Sequence, residues 1–141
     1  LGNGVPVGCV VGDPDLMRRT EDRVSSTFGG EVTGLAAASA VLKVHAGQDV
    51  CGQLRAYGMQ LRERLDLALS GSPIRVEGQP QHFRFVADSR AILDEFLTGC
   101  MAHDDAVLIH RDANNINLAI NTTISARIAA TVSDIAGRLT V

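Results

Sequence analysis

Tryptophan is absent from this 141-residue chain, tyrosine occurs once and phenylalanine four times. Twelve arginines are scattered rather than clustered, so a nucleic-acid surface would have neither stacking platforms nor a basic stripe. Lysine is nearly missing too: of thirteen basic residues only Lys43 is a lysine. A net charge of −3 is too mild to speak for a strongly charged partner. No apolar run approaches the roughly 18 residues a membrane-spanning helix needs. Cysteine is sparse and odd in number. Cys9, Cys51 and Cys100 stand far apart, without zinc spacing and without the even count of a disulfide framework; they are expected to be buried free thiols in a reducing cytoplasm. His45, His82, His103 and His110 show no metal spacing either, and "HDD" at 103–105 reads as a solvated helix end. No metal is expected.

The sequence begins without methionine and without a charged-then-apolar leader. Its opening, "LGNGVPVGCVVG", reads as the middle of a longer protein. Hydrophobic residues at 45% are enough for a real core, and the length is that of one ordinary domain or a piece of a larger one.

Val5–Gly12 is a β-branched run between glycines, which predicts a buried strand. Asp13 is placed as an N-cap with Pro14 at the first helical position and arginines in the last turn, predicting a short helix. From Glu31 to Ala46 an Ala-rich helix is predicted. A second helix follows Gly47 from Gln48 to Leu69, with Val50, Leu54, Tyr57, Leu61, Leu65 and Ala68 on one face; the two could also join as one bent helix. "SGSP" ends it, and alternation at Ile74 and Val76, then Phe83 and Phe85, predicts two strands around "EGQP". Asp88 or Ser89 caps the next helix, which turns Ile92, Leu93, Phe96, Leu97 and Cys100 inward. "AVLIH" and "INLAI" read as two more strands around "RDANN". Thr122 or Thr123 starts a last helix with Ile124, Ile128, Val132, Ile135 and Leu139 on one stripe. Residues 48–141 therefore read as an α+β layer, helices on one face of a small antiparallel sheet. Residues 1–47 have too few elements to bury one another.

Between the short helix and the Ala-rich one lies "SSTFGGE", Ser25–Glu31. Helix starts and glycine-rich turns present unpaired N–H groups that favour anions such as phosphate. The plainer reading is that Ser and Thr cap helices and glycines make turns.

Taken together, "LGNGVPVGCVVGDPDLM" and "SSTFGGE" followed by "LAAASAVLKV" resemble the class III pyridoxal-phosphate-dependent aminotransferases, and their glutamate-1-semialdehyde aminomutase-like branch most. The likeness is dense over about the first 45 residues; beyond them only the order of elements fits. It implies an α/β fold of the fold-type-I transferase kind, with residues 1–47 as the end of the large cofactor-binding domain and 48–141 as a linking helix and the small C-terminal α+β domain. It implies pyridoxal 5'-phosphate as cofactor, a cytoplasmic homodimer with the cofactor at the interface, and movement of an amino group via a lysine aldimine, either between a small amino donor and a carbonyl acceptor or between neighbouring carbons of one substrate. By the same resemblance Thr27, with Ser26 beside it, reaches the cofactor phosphate of the other subunit. Asn3 and Gly4 match the loop after the Schiff-base lysine. That lysine would stand just before Leu1, and no residue of this chain replaces it. Lys43, well along the Ala-rich helix, reads as a surface lysine. Arg75, Arg84 and Arg111 are candidates for the substrate carboxylate by charge alone, and read better as structural or surface arginines. Two other readings stay open: a non-catalytic remnant or interaction module, and a generic phosphate-binding module resting on the glycine turn.

Overall fold

Asp13 accepts hydrogen bonds from the Asp15 and Leu16 amides and sets the start of α1, Pro14–Arg18, with proline in its first turn. The computed structural model describes residues 1–19, 29–103 and 112–139. It has a mixed α and β architecture in two compact units, Leu1–Asp49 and Val50–Val141.

The first unit holds α1 and α2, Val32–Gly47. Only Gly34 and Ala38 of α2 are buried, and no residue of α1 is. Val10, Val11, Val32, Leu35 and Leu42 are all more than half exposed. The strand expected at Val5–Gly12 does not form: the segment is irregular. A strand exists through pairing rather than through its own side chains, and among the described residues nothing pairs with this one. Cys9 within it is exposed, as is Cys51, against the expectation of three buried thiols. Among the described residues no sheet covers Cys9, and Cys51 sits on the open side of its helix. Only Cys100 is buried, and desolvation pushes its thiol up to about 12, which makes it an inert apolar filler.

The second unit contains α3 (Val50–Ala68), β1 (Arg75–Gln79), β2 (His82–Val86), α4 (Arg90–Ala102), β3 (Asn114–Asn115) and α5 (Thr122–Ala136). Gln48, with φ −156° and ψ 157°, ends α2 in extended backbone, so α2 and α3 are separate helices. β1 and β2 form an antiparallel hairpin with Val76 opposite Phe85. β3 adds antiparallel to β2, giving the order β1-β2-β3. Strand alternation puts Val76, Phe83 and Phe85 on the covered face. They meet Leu61 and Leu65 of α3, Phe96, Leu97 and Cys100 of α4, and Ile128, Val132 and Ile135 of α5. Ser89 caps α4 and Asn121 caps α5.

The strand expected over "INLAI" is displaced. Pairing occurs at Asn114–Asn115, inside the stretch read as a turn, and the Ile116 amide donates to the Gln81 carbonyl. Asn117 then folds the chain away, its side-chain oxygen accepting from the Ala119 amide at 2.9 Å. Such an Asx turn competes with strand continuation. The strand expected over "AVLIH", 106–110, lies outside the described residues. Among the described residues no helix is long and apolar enough to cross a membrane.

Candidate functional site

Gly2–Val5 is a tight turn. The Val5 amide donates to the Gly2 carbonyl at 3.1 Å, and φ is positive at both central residues, 47° at Asn3 and 103° at Gly4. Two positive values in succession mark a turn of the I′ kind, for which Asn-Gly is the favoured pair. Asn3 and Gly4 are exposed, and open space lies where a Gly4 side chain would be. The backbone here is free to approach another group closely.

The chain leaves this turn and runs against the start of α2. A methyl group placed on Gly34 would stand 3.5 Å from both the Pro6 carbonyl oxygen and the Val7 Cβ. The segment following "GNG" and the helix following "TFGG" thus meet within the first unit. Thr27 and Ser26 lie outside the described residues.

Glu31 is the N-cap of α2. Its Oε1 accepts from the Thr33 amide at 2.9 Å and its Oε2 from the Gly34 amide at 2.6 Å. Serine and threonine were the expected caps, and unpaired amides the expected feature of this helix start. The cap is instead a carboxylate, two atoms farther from the backbone than a serine hydroxyl, which reaches over the first turn and takes the Thr33 and Gly34 amides. The Thr33 hydroxyl first, then the Gly34 and Thr33 amides, hold the Glu31 carboxyl below its ordinary range. Its folded value lies below its unfolded one, so the cap's contribution is full above the unfolded value. It disappears as pH falls through the lowered folded value. Acid titration followed by circular dichroism should therefore show a loss of α2 helicity in this range that Glu31→Gln lacks.

Lys43 is exposed near the end of α2. In the second unit the arginines singled out by charge are already matched. Arg75 Nη2 lies 2.7 Å from Asp88 Oδ1, and Arg84 Nη2 lies 3.1 Å from Glu77 Oε2 across the hairpin. The Arg75 hydrogen bond holds the Asp88 carboxyl below its usual range. Arg111 lies outside the described residues. Two clefts adjoin the sheet, one of about 410 Å³ beside Arg84, Asp88 and Arg90 and one of about 290 Å³ beside Glu77 and His82, with Arg84 and Asp112 bordering both. Their charges alternate in sign, so neither concentrates a field on a ligand.

No family model, curated protein or solved structure matches this chain.

Among the described residues no group of three His, Cys, Asp or Glu side chains could hold a metal ion. His82 Nδ1 lies 2.7 Å from the Asn115 side-chain oxygen, a contact between β2 and β3 rather than a ligand set. The cap that sequence reasoning passed over is Glu31. Glutamate is an uncommon N-cap; its one signal was a carboxylate standing between Gly29–Gly30 and an apolar helix.

Proposed function

We propose that this chain is the C-terminal part of a class III pyridoxal-phosphate-dependent aminotransferase or aminomutase. Residues 1–47 would close the large domain of a fold-type-I transferase and 48–141 would form its small domain. One observation carries the reading: the Pro6 carbonyl and the Val7 side chain lie against Gly34, so the two stretches behind the resemblance converge although the chain between them is long.

The exposed Asn3–Gly4 turn suits a group that needs close backbone approach. The Thr27 hydroxyl and the Ser26 amide are neutral donors of the kind that bind a phosphate dianion. The α2 amides of Thr33 and Gly34 do not suit it, because Glu31 occupies them. When bound, pyridoxal 5'-phosphate supplies the electron sink for chemistry at the amino-bearing carbon. The chain's own contribution is to hold the phosphate end and let the backbone pass close by. The covalent lysine belongs to sequence before Leu1, and the second copy of the chain completes the site from across a dimer interface. A small amino donor and a carbonyl acceptor are the substrates of this reading.

The test uses the product of the whole reading frame, loaded with pyridoxal 5'-phosphate, reduced with borohydride and mapped. Label on a lysine a few residues before Leu1 supports the reading. Label on Lys43, or on no defined lysine, overturns it. In that same protein Thr27→Ala is expected to weaken cofactor binding about tenfold to a hundredfold, the value of one hydrogen bond to a charged group. Unchanged affinity would remove Thr27 from the site.

A second reading, a non-catalytic interaction module, is favoured by the exposure of Val10, Val11, Val32, Leu35 and Leu42. Apolar surface of this extent normally meets a partner. The borohydride experiment separates the two, since a module without chemistry has no lysine to label.

A further inference from the structure

Asparagine occurs five times in the chain, and four of the five side chains are tied down. Asn115 Oδ1 lies 2.7 Å from His82 Nδ1. The side-chain oxygens of Asn117 and Asn121 accept from the Ala119 and Ile124 amides at 2.9 and 3.0 Å. The Asn114 side-chain nitrogen donates to the Phe83 carbonyl at 3.5 Å. Each of the four is followed by a residue that carries a side chain: Asn115, Ile116, Leu118 and Thr122. Asn3 differs on every count. It is exposed, and its side chain has no hydrogen-bond partner among the described residues. Gly4 follows it, also exposed, with its amide equally free and open space where a side chain would stand.

We infer that Asn3 is a self-modification site, at which attack by the Gly4 nitrogen and then by water replaces the amide with aspartate or isoaspartate. The Gly4 amide loses its proton to water, and its nitrogen bonds to Asn3 Cγ. The Cγ–Nδ2 bond breaks, and the side-chain nitrogen takes up a proton and departs as ammonia. One water then opens the cyclic imide. Breaking the bond from the Gly4 nitrogen to Cγ leaves aspartate in an ordinary chain. Breaking the bond from that nitrogen to the Asn3 main-chain carbonyl carbon leaves isoaspartate. The net change is amide plus water to carboxylic acid plus ammonia, with nothing oxidised or reduced.

The two products differ in consequence. Aspartate accepts a φ of 47° about as well as asparagine, so the turn survives with one added negative charge. Isoaspartate inserts a methylene into the main chain, about 1.5 Å of extra path. That insertion undoes the register that brings the Val5 amide to the Gly2 carbonyl and sets Pro6 and Val7 against Gly34. Neither the attack nor its products depend on a cofactor.

The product of the whole reading frame is held in mildly alkaline buffer, folded and, in parallel, unfolded in guanidinium chloride. Peptide mapping with fragmentation that separates the two acids follows both. Ring closure requires the turn to open, and one hydrogen bond of 3.1 Å from the Val5 amide to the Gly2 carbonyl closes it. Conversion at Asn3 in the folded protein should therefore lag the unfolded control by about fivefold, the equilibrium cost of breaking such a bond. Asn114, Asn115, Asn117 and Asn121 should keep their amides in the folded protein throughout. An Asn3 amide that persists in the folded protein after the unfolded control has converted completely overturns the inference. Earlier conversion at any of the other four asparagines does so too. Gly4→Ala is compared with the parent in the unfolded chain, where the strain of alanine at positive φ plays no part. A methyl group beside the attacking nitrogen should slow conversion severalfold; equal rates would remove Gly4 as the attacking group.

Discussion

Phe96→Ala is expected to lower the unfolding free energy of the Val50–Val141 unit by about 3–5 kcal/mol. Phe96 is wholly buried on α4, and its ring packs on Phe85 with centroids 5.2 Å apart at 61°. Phe85 in turn meets Phe83 edge-on at 5.7 Å and 86°. Three of the four phenylalanines in the sequence are thus one run of rings joining the sheet to the helices. Removing the ring loses transfer energy, aromatic contact and close packing together, because backbone held by α4 and the hairpin cannot fill the hole. A unit of this size has about 9 kcal/mol in all at roughly 0.1 kcal/mol per residue, so the loss is a large fraction of its stability. Urea unfolding of the full chain, followed by circular dichroism, reads the change. Phe96→Leu, which keeps most of the volume, should cost about 1 kcal/mol. A loss below 1 kcal/mol for the alanine variant would mean that α4 is not close-packed on the sheet.

The residues that make this core were readable because each obeys a period. Phe96, Leu97 and Cys100 recur at helical steps, Ile128, Val132 and Ile135 form a stripe along α5, and Val76, Phe83 and Phe85 alternate along strands. Periodicity reports which face is covered, whatever covers it. The failures fall where no period exists. Val5–Gly12 carries β-branched residues but has no strand to pair with among the described residues, and pairing cannot be read from one segment. β3 was missed for the opposite reason. Asn114 and Asn115 are poor strand formers, and they pair at the edge of β2 through main-chain bonds and through the Asn115 side chain on His82. At the candidate site the Asn3–Gly4 turn was legible, since few sequences other than Asn-Gly accept positive φ twice. The occupant of the α2 start was not. A glutamate cap depends on the geometry of a longer side chain, for which local sequence has no strong preference.

Gly58→Ala should destabilise the same unit by about 2 kcal/mol, although glycine-to-alanine in a helix interior ordinarily gains roughly 1 kcal/mol. A methyl group on Gly58 would stand 2.6 Å from both the carbonyl carbon and the oxygen of Pro80 and 2.9 Å from the Gln81 nitrogen. All three are backbone atoms of the turn between β1 and β2, so no rotamer change relieves them. Either α3 or the hairpin must move. The Gln81 carbonyl also accepts from the Ile116 amide at 3.1 Å, so moving the turn drags the chain beyond β3 with it. Overpacking of this kind costs about 1–3 kcal/mol and more when backbone is the obstacle; here it exceeds the helix gain. Gly99 is the control. On α4 its methyl group would stand 2.8 Å from Ile135 Cγ2, with Cδ1 and Cγ1 at 3.5 and 3.7 Å. That obstacle is a side chain, which can rotate or shift by a few tenths of an ångström, so the helix gain and the packing cost nearly cancel. Gly99→Ala is therefore expected within about 1 kcal/mol of the parent. Urea midpoints of the two variants at constant slope decide the matter: a stable Gly58→Ala beside an unstable Gly99→Ala would mean that α3 does not seat on the hairpin turn.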